Sequence, residues 1–481
     1  MIENRQFYIN GAWVDAAEGR DYQVIDPTTE EPFAVIALGG QADTDAAVAA
    51  AKAALPAWMA TPVEERIAKV EKLLEVYQAR ASEMGATISQ EMGAPIDMAS
   101  SSQVGAGSWH LSGFINAAKN FEFEHALNAD APNDRIIHEA VGVAALITPW
   151  NWPMNQVTLK VGAAAIAGCT MVLKPSEETP LDAMLFAEMM DEAGFPKGVF
   201  NLVNGDGVGV GSQLTSHKDV DMVSFTGSSR AGTLISKSAA DTLKRVSLEL
   251  GGKGANVIFA DADEKAVKRG VLHMMNNTGQ SCNAPSRMFV QREVYDQAVE
   301  DAAAVAKAVT VGPASESGRH IGPVVNEVQW GKIQDLIQKG IDEGARLVAG
   351  GVGRPEGLNK GFYVRPTVFA DVTPDMTISR EEIFGPVLAM TPFDTEEEAV
   401  ELANDTVYGL TNYVQTQDGA RLNRMARSLR SGMVEMNGKG RAAGSPFGGM
   451  KQSGNGREGG KYGLEDFLEV KAVSGWSTDA N

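Results

Sequence analysis

The sequence predicts an α/β fold in which a doubly wound parallel sheet is joined to a second α/β region and a small β arm. The chain has 481 residues, which corresponds to about three domains at roughly 150 residues each. From about residue 141, short continuous apolar runs alternate with helical segments, as in parallel sheets covered on both faces. Residues 120–140 and 463–477 fit neither region and are predicted to form an extended arm.

The elements follow in order along the chain. An Asn10-Gly11 pair between two short extended stretches predicts a hairpin. Apolar residues spaced by three and four from Ala42 to about Ser89 predict helices. The apolar runs and the segments between them then predict strand 141–147, helix 155–167, strand 170–174, helix 181–194, and strands 199–203, 222–225 and 255–259.

The charge balance and the cysteine content exclude several classes of protein. Lys and Arg number 42 against 62 Asp and Glu, a net charge of −20, which argues against nucleic acid or an anionic membrane as a main partner. Two cysteines exclude a secreted disulfide framework, and no His or Cys spacing is typical of a zinc site. The N-terminus does not resemble a signal peptide, and no run approaches the ~18 apolar residues of a membrane helix. We therefore expect a cytoplasmic protein that holds no metal ion.

Two glycine-rich segments follow predicted strands and open predicted helices. Gly205–Gly211 lacks the strict G-x-G-x-x-G spacing of a dinucleotide-binding turn, so a flexible strand-to-helix turn is an equal alternative. Phe225–Gly232 lacks the Lys-Ser/Thr ending of a phosphate-binding loop. Small residues at a helix N-terminus still receive anions through free N–H groups and the helix dipole. Together, the two segments favour nucleotide binding.

Cys282 is the candidate nucleophile. It lies within Gly279–Pro285 among small and polar residues, which leave backbone room for a substrate. The alternative is a buried, inert thiol, which is the more common state of a lone cysteine. Cys169 enters an apolar strand and is interpreted as structural.

Two polar residues at strand ends are candidates to assist a nucleophile. Glu249 is flanked by leucines, and burial there would raise its pKa towards that of a general base. The alternative is an outward-facing residue of an alternating strand. Asn151 lies in a loop with two tryptophans and two prolines, Thr148–Pro153, which can aim its amide at an oxyanion. The alternative for this loop is an aromatic lid over the core.

These residues together resemble the aldehyde dehydrogenase superfamily over nearly the whole chain, from about Phe7 to Val470. Seven motifs occur in the family's order: Pro149–Pro153, Leu173–Glu177, Phe225–Ser228, Leu248–Lys253, Gly279–Cys282, Glu382–Pro386 and Pro446–Gly449. The resemblance implies an NAD(P)-dependent enzyme of the hydrolytic type, with a catalytic cysteine, glutamate and asparagine.

The resemblance also implies roles for individual residues. Cys282 matches the nucleophile, Glu249 the general base, Asn151 the oxyanion donor and Lys160 a lysine on the water and proton route. The positions that match the cofactor site are Trp150, Lys174, Glu177, Gly207, Gly227, Ser228, Leu250, Glu382 and Phe384. The positions that match the substrate tunnel are Trp152, Asn155, Gln156, Leu159, Ser281, Asn283 and Phe447, with Lys439 and Arg441 near its mouth.

The implied reaction has two halves. The Cys282 thiolate attacks the aldehyde, the adduct gives hydride to the nicotinamide, and Glu249 activates water to hydrolyse the thioester. Glu249 argues against coenzyme A as the acyl acceptor. Glu177 accepts ribose hydroxyls and repels a 2′-phosphate, which favours NAD, with NADP as the alternative.

The substrate is expected to be a polar aldehyde. Asn155, Gln156, Ser281 and Asn283 are more polar than the residues found in family members that act on simple apolar aldehydes. Arg441 would pair with a substrate carboxylate, as in a semialdehyde. The alternative is a solvated arginine, since exposed arginines are the norm.

The resemblance implies a domain division and an assembly. Residues 1–119 and 141–250 would form the dinucleotide-binding domain and 251–450 the catalytic domain, while 120–140 and 451–481 would form an oligomerisation arm and C-terminal tail. A homodimer or homotetramer follows from the arm. Three alternatives for the function remain open: acylation of coenzyme A, esterase activity at the same thiol, and a non-catalytic structural role.

Overall fold

The computed structural model describes residues 1–477. Its strands are β1 (Ile2–Asn4), β2 (Gln6–Ile9), β3 (Ala12–Asp15), β4 (Arg20–Asp26), β5 (Glu31–Leu38), β6 (Glu124–Asn128), β7 (Ala131–Ala140), β8 (Val143–Ile147), β9 (Thr170–Lys174), β10 (Phe200–Leu202), β11 (Met222–Thr226), β12 (Arg245–Glu249), β13 (Ala255–Ile258), β14 (Arg287–Gln291), β15 (Thr310–Val311), β16 (His320–Ile321), β17 (Arg346–Ala349), β18 (Thr367–Ala370), β19 (Val387–Phe393), β20 (Thr411–Gln415), β21 (Met433–Met436) and β22 (Leu468–Ser474).

The helices alternate with these strands. They are α1 (Gln41–Met59), α2 (Val63–Ala79), α3 (Ala81–Met92), α4 (Ile96–Met98), α5 (Val104–Lys119), α6 (Pro153–Ala167), α7 (Leu181–Glu192), α8 (Ser212–Ser216), α9 (Ser229–Ala239), α10 (Ala266–Met275), α11 (Arg292–Ala308), α12 (Glu327–Asp342), α13 (Thr377–Arg380), α14 (Glu396–Asn404), α15 (Gly419–Ser428) and α16 (Gly460–Asp466). Short π turns lie at Ala99–Gln103 and Gly207–Gly211, and 3-10 turns at Ala240–Thr242, Asn276–Gly279 and Lys451–Ser453. No helix within residues 1–477 combines the length and the apolar character needed to cross a membrane.

The first large sheet has the strand order β12-β11-β8-β9-β10-β2-β3. Strands β8 to β12 are parallel, and the predicted hairpin, β2 and β3, adds two antiparallel strands. The order reverses between β8 and β11, because β9 and β10 lie on one side of β8 and β11 and β12 on the other. Ligands of open α/β sheets bind at the carboxyl ends of the strands at such a switch point. A ligand site is therefore expected at the loops that follow β8 and β11.

Both faces of this sheet are buried, which explains its continuous apolar strands. Along β8, Ala144 and Leu146 pack into one hydrophobic cluster with residues of α2, α3, α5, α6 and α7. Val143, Ala145 and Ile147 pack into another, with residues of α1, α8 and α9. Successive residues of a strand point to opposite faces, so neither face of β8 tolerates polar side chains.

The second large sheet has the order β17-β18-β19-β14-β13-β20-β21. All its strands are parallel except β17, which pairs antiparallel with β18. The apolar run at 255–259 resembles the strands before it, yet β13 lies inside this second sheet. Residues 250–254 therefore pass from the edge of the first sheet into the middle of the second.

The arm is a separate three-stranded antiparallel sheet in the order β22-β7-β6. Its pairing brings Val470 opposite His138, so the end of the chain returns to residues 124–140. Residues 478–481 of the predicted tail lie outside the described residues. Two small sheets, β1-β5-β4 and β15-β16, complete the described strands. The architecture confirms the predicted fold class of two α/β sheets and a small β arm.

Helix α6 begins two residues earlier than predicted, at Pro153. Proline suits the first turn of a helix because its missing N–H would be unpaired there. The helix predicted after Gly205–Gly211 consists of one π turn and the five-residue α8. The carboxylate of Asp206 caps this turn by accepting the N–H of Gly209.

Candidate active site

Cys282 lies in the loop between α10 and β14, close to the start of the second sheet. The loop reaches this position through three consecutive residues with positive φ, Asn277 (51°), Thr278 (57°) and Gly279 (71°). Such a backbone costs of order 1–3 kcal/mol for each non-glycine residue and persists where the surroundings fix it. Here Thr278 Oγ1 donates to the carbonyl oxygen of Gly322 over 3.1 Å. A side chain at position 279 would collide with the backbone of Gly385.

Asn151 lies against this loop. Its Nδ2 donates to the carbonyl oxygen of Gln280 over 3.0 Å, two residues before Cys282. Its own carbonyl oxygen accepts hydrogen bonds from Asn277 Nδ2 at 2.9 Å and Gln103 Nε2 at 3.2 Å. The loop after β8 and the loop that carries Cys282 are therefore held together by side-chain amides.

The segment after β12 also passes close to Cys282. A side chain at Gly252 would collide with the carbonyl oxygen of Cys282, and one at Gly251 with the carboxylate of Glu382. The Gly251-Gly252 pair therefore allows the ends of the two sheets to approach each other at the candidate nucleophile.

Glu249 is the last residue of β12 and is 2% exposed. Among residues 1–477, neither of its carboxylate oxygens has a hydrogen-bond partner. Burial, and secondly the negative charge of Glu458, raises the pKa of this carboxyl well above its usual value. The raised pKa makes the carboxylate a stronger base, as the role of general base requires.

Lys160 and Glu458 form a buried ion pair beside Glu249. Lys160 Nζ lies 2.6 Å from Glu458 Oε1 and donates to Ser224 Oγ over 3.1 Å. Glu458 was not predicted from the sequence. It is the one acidic residue of the glycine-rich segment 454–460, and 298 positions separate it from Lys160. No local pattern could have indicated this pair.

The environment of Cys282 keeps its thiol protonated in this state. Burial, and then the nearby carboxylates of Glu382, Glu249 and Glu458, raises the pKa of the thiol well above its usual value. Cys169 is fully buried, whereas Cys282 is partly exposed, and burial raises the pKa of Cys169 to about 11. The two cysteines differ in surroundings rather than in burial alone, because only Cys282 faces a crevice with acid groups.

A crevice of about 190 Å³ opens at the switch point beside Cys282. Six of the predicted cofactor residues line it, namely Trp150, Gly227, Ser228, Leu250, Glu382 and Phe384. Ser228 also caps α9, since its Oγ accepts the N–H of Ala231 over 3.2 Å. Trp150 and Phe384 meet edge to face with ring centroids 5.5 Å apart. Aromatic walls and a free helix N-terminus suit a nucleotide with a planar ring and phosphates.

Two further residues of this crevice were missed by the sequence analysis. Lys332 donates from Nζ to the carbonyl oxygen of Glu382 over 2.9 Å. Gln329 donates from Nε2 to the carbonyl oxygens of Ile383 and Phe384. Both residues lie on α12, outside the motifs recognised in the sequence. Polar residues that alternate with apolar ones are typical of the exposed face of any helix, so they gave no sign of a ligand site.

The other three predicted cofactor residues lie outside this crevice. Lys174, at the end of β9, donates to the carbonyl oxygen of Pro175, and its Nζ lies 3.5 Å from Glu177 Oε2. Gly207 opens the π turn, and a Cβ there would meet no atom within 4 Å. A Cβ at Gly211, at the end of the same turn, would lie 3.8 Å from the Lys174 side chain. The three residues thus form a second polar area, and the two areas together fit an extended dinucleotide.

Two of the predicted substrate residues, Ser281 and Asn283, flank Cys282, and each makes a hydrogen bond that fixes its position. Trp152 Nε1 donates to Ser281 Oγ over 2.8 Å. The carbonyl oxygen of Asn283 accepts the hydroxyl of Tyr413 at 2.6 Å. Gln156 is buried, and its side-chain oxygen has no partner among the described residues.

Two of the remaining predicted substrate residues line a small cavity, whereas Asn155 and Leu159 do not. Arg441 and Phe447 line it together with His110, and the Arg441 guanidinium stacks 4.8 Å from the Phe447 ring centre. His110 Nε2 lies 2.7 Å from Asn155 Oδ1. Burial lowers the pKa of His110 to about 4, so its ring is neutral at neutral pH. The sequence analysis missed this histidine.

Arg441 is not a free cation. Its Nε lies 3.4 Å from Glu435 Oε1, and both side chains are mostly buried. Lys439, the other basic residue expected near the mouth, is exposed and does not line this cavity. Within residues 1–477, no group of three or more His, Cys, Asp or Glu residues is placed to hold a metal ion.

Comparison with known proteins gives consistent matches. The model of the aldehyde dehydrogenase family matches residues 13–473. The chain is 48% identical over 478 residues to 3-succinoylsemialdehyde-pyridine dehydrogenase of a Pseudomonas species, covering 99% of each chain. The structure of an aldehyde dehydrogenase from Bartonella henselae is 59% identical, has a TM-score of 0.98, and is matched over 99% of this chain and 100% of that one. A mutant of aldehyde dehydrogenase C from Pseudomonas syringae, complexed with NAD+ and octanal, is 45% identical with a TM-score of 0.96, over 99% and 98% of the two chains.

Proposed function

The chain belongs to the aldehyde dehydrogenase family, and we propose that Cys282, Glu249 and Asn151 are the residues with which it oxidises an aldehyde to a carboxylate using NAD. The observation that supports this most strongly is the position of Cys282. It lies in the wall of the crevice that Gly227 and Glu382 also line, where the ends of the two sheets meet. A nucleophile in that wall places a covalently bound substrate beside a bound dinucleotide.

In the first chemical step the Cys282 thiol releases its proton to water, and the resulting thiolate attacks the aldehyde carbon. A covalent adduct is needed because an aldehyde has no hydroxyl whose deprotonation drives hydride transfer. The oxygen of the adduct becomes an anion. Asn151 supplies one stabilising N–H from its side chain, and Cys282 supplies another from its backbone. The contact of Asn151 with Gln280 occupies one of its two amide hydrogens and leaves the other for this role.

When bound in the crevice, NAD would supply the hydride acceptor that this oxidation needs. The adduct on Cys282 becomes a thioester as it loses hydride. Trp150, Leu250, Glu382 and Phe384 would hold the nicotinamide half of NAD, and Gly227 and Ser228, at the N-terminus of α9, would lie at its pyrophosphate. Lys174, Glu177 and Gly207 would hold its adenosine half, with the Glu177 carboxylate binding the ribose hydroxyls. That carboxylate would repel a 2′-phosphate, which favours NAD over NADP.

Glu249 completes the reaction by taking a proton from the water that attacks the thioester. Its raised pKa suits this task, because it makes the carboxylate a stronger base. We propose that the Lys160–Glu458 pair, buried next to it, carries the proton onward. The carboxylate oxygen of Glu458 that Lys160 does not use has no partner in residues 1–477 and is therefore free to accept one.

Asn151→Ala tests the proposed oxyanion donor. We expect kcat to fall about 10²–10³-fold, the usual cost of losing one such donor, while the affinity for NAD stays within about twofold. Steady-state kinetics and a fluorescence titration with NAD measure the two quantities. Asn120→Ala serves as the matched control, since it removes an exposed amide that donates to the carbonyl oxygen of Asn116 and does not line the crevice. A loss of kcat below threefold in Asn151→Ala would show that another group stabilises the oxyanion.

For the substrate, we propose a polar semialdehyde whose second oxygen-bearing group reaches Arg441. Support comes from the polar residue Ser281 beside Cys282, from the polar residues Asn155 and Gln156 on α6, from the guanidinium in the cavity, and from the similarity to an enzyme named for a semialdehyde. Glu435 neutralises part of the Arg441 charge, and burial raises the pKa of this carboxyl. The pair therefore sets how strongly the cavity attracts anions.

Two substitutions with opposite expected effects test this proposal. The measured quantity is kcat/KM for succinic semialdehyde divided by kcat/KM for butanal. Arg441→Ala is expected to lower this ratio about tenfold, since a charge-assisted hydrogen bond contributes roughly 1.5–3 kcal/mol. Glu435→Gln is expected to raise the ratio, because the competing anion is removed. Lys439→Ala, on the exposed side of the same segment, should leave it unchanged. The proposal is contradicted if the first two variants keep the wild-type ratio.

We further propose that the arm sheet pairs subunits into a homodimer or homotetramer. β6 and β22 are its edge strands, and Leu127 and Val470 on them are 51% and 66% exposed. Unpaired edges with exposed apolar side chains favour pairing with another chain. Sedimentation velocity should give two or four times the chain mass of 51.0 kDa. Sedimentation of the purified protein at the mass of a single chain would contradict the assembly.

A further inference from the structure

A second, larger cavity lies outside the site described above. It has a volume of about 730 Å³ and is called here the junction groove. Its walls are the turn that joins α4 to α5, the helices α10 and α11, and residues 318–321 around β16. Along the chain the turn lies between β3 and β8 of the first large sheet, and the other walls belong to the region of the second. Cavities of about 300–1,000 Å³ are typical of small-molecule sites.

The junction groove combines an apolar wall with cations. On α10, Lys268, Leu272 and Met275 line it at spacings of four and three, so they lie on one face of the helix. Leu272 is 46% exposed, although it is a large apolar side chain. Lys268 and Arg319 form no ion pair with any residue among 1–477. The one carboxylate of the lining, Asp97, accepts the N–H of Gly318.

This charge pattern favours an amphiphilic anion. The chain as a whole carries a net charge of −20. The two unpaired cations beside the apolar wall therefore make the local charge of the groove opposite in sign to that of the whole chain. A molecule with an apolar body and a carboxylate end would cover Leu272 and Met275 and pair with Lys268 and Arg319. A cationic or purely apolar molecule would leave these two charges unpaired.

The floor of the junction groove belongs to the loop that carries Cys282. Asn277 and Thr278, both with positive φ, line the groove and lie four to five residues before the nucleophile. Asn277 Nδ2 donates to the carbonyl oxygens of Asn151 and Gln280 over 2.9 and 3.1 Å. Gln103 is buried behind the opposite wall, directly after the lining residues Ser101 and Ser102, and donates to the same Asn151 oxygen and to Asn277 Oδ1. The two walls therefore share the hydrogen bonds that fix the backbone of Asn151.

We propose that the junction groove is a regulatory binding site for an elongated carboxylate, the chemical class to which the product of the reaction belongs. A ligand between the walls separates the Gln103 side from the Asn277 side, so the Asn151 amide moves away from the position that an oxyanion needs. Occupancy then lowers kcat without blocking the aldehyde. The kinetic part of this inference rests on the proposed function, whereas the binding part does not.

Decanoate is the probe, and isothermal titration calorimetry with the full-length protein measures its binding. We expect one saturable site per chain. Lys268→Glu combined with Arg319→Glu is expected to weaken binding at least tenfold, and Ala308→Trp to do the same by filling the groove. Lys307→Glu, a single charge reversal at the exposed position of α11 next to Ala308, should leave the affinity unchanged. Decanol, which has the same chain without the charge, should bind at least tenfold more weakly than decanoate.

Kinetics with butanal separate the junction groove from the aldehyde site. In the wild-type protein decanoate is expected to lower kcat at saturating butanal, and in the double variant this effect should disappear while kcat without decanoate stays normal. Absence of binding, equal binding by the double variant, or inhibition that raises only KM would overturn the proposal. The last result would place decanoate in the aldehyde site. If the protein failed to oxidise any aldehyde, the proposed function would fail, but the calorimetric comparison would still decide whether the groove binds carboxylates.

Discussion

Replacement of Cys282 by alanine is expected to abolish aldehyde-dependent NADH formation, with a loss in kcat of about 10⁴-fold or more. Losses of this size are found when the nucleophile of a covalent mechanism is removed, because the remaining groups cannot act without it. The absorbance of NADH, followed with a panel of apolar, aromatic and semialdehyde substrates, measures the effect. The affinity for NAD should remain within a few-fold of the wild-type value, because the other residues that line the crevice are unchanged.

Cys169→Ala is the matched control for this substitution. Cys169 is fully buried, and its Sγ contacts the carbonyl oxygen of Phe467 at 3.5 Å. Its replacement should lower stability modestly and leave kcat nearly unchanged. Retained activity in Cys282→Ala, or equal losses in the two variants, would contradict the assignment of Cys282 as nucleophile.

Glu249→Gln is expected to lower steady-state kcat about 10²–10⁴-fold, the range for loss of a general base. Hydride transfer precedes hydrolysis in the proposed mechanism, so the variant should still release a rapid burst of one NADH per active site before it stalls as the thioester. Stopped-flow absorbance separates the burst from the slow phase. A variant that lost the burst as well as the turnover would show that Glu249 acts before hydride transfer.

The pH dependence of this variant supplies a second test. Since burial and the negative charge of Glu458 raise the pKa of Glu249, the carboxyl is protonated at low pH and gains base strength as the pH rises through that pKa. Wild-type kcat should therefore increase with pH, and this increase should vanish in Glu249→Gln. Glu458→Gln removes the like charge and should move the increase to lower pH. An unshifted profile would mean that Glu458 has no electrostatic influence on the base.

Local sequence patterns predicted the parts of the site that lie at strand ends. Asn151 follows β8, Gly227 follows β11, and Glu249 ends β12. In a parallel sheet these positions meet at one edge, so recognising the strands was sufficient to bring the residues together. The glycines at 251 and 252 were recognised as part of a motif, but only the structure shows that they keep the chain clear of Cys282 and Glu382.

The remaining contacts depend on pairs that no local pattern encodes. Lys160 meets Glu458 through the packing of α6 against the turn before α16. His110 meets Asn155 between α5 and α6. Arg441 was expected to pair with a substrate carboxylate. In the structure it pairs with Glu435, which lies six positions earlier in the sequence. Its spacing from Arg441 carries no signal, because the intervening residues are not helical and no periodicity relates the two side chains.

The central claim, a thioester on Cys282, is tested most directly by mass spectrometry of Glu249→Gln after brief mixing with NAD and an aldehyde substrate. The proposed mechanism predicts that a proteolytic peptide containing Cys282 gains the mass of the acyl group and that the peptide containing Cys169 does not. No adduct of this mass should form when NAD is omitted. An acyl group on any other residue, or unmodified Cys282 while NADH is being formed, would contradict the account.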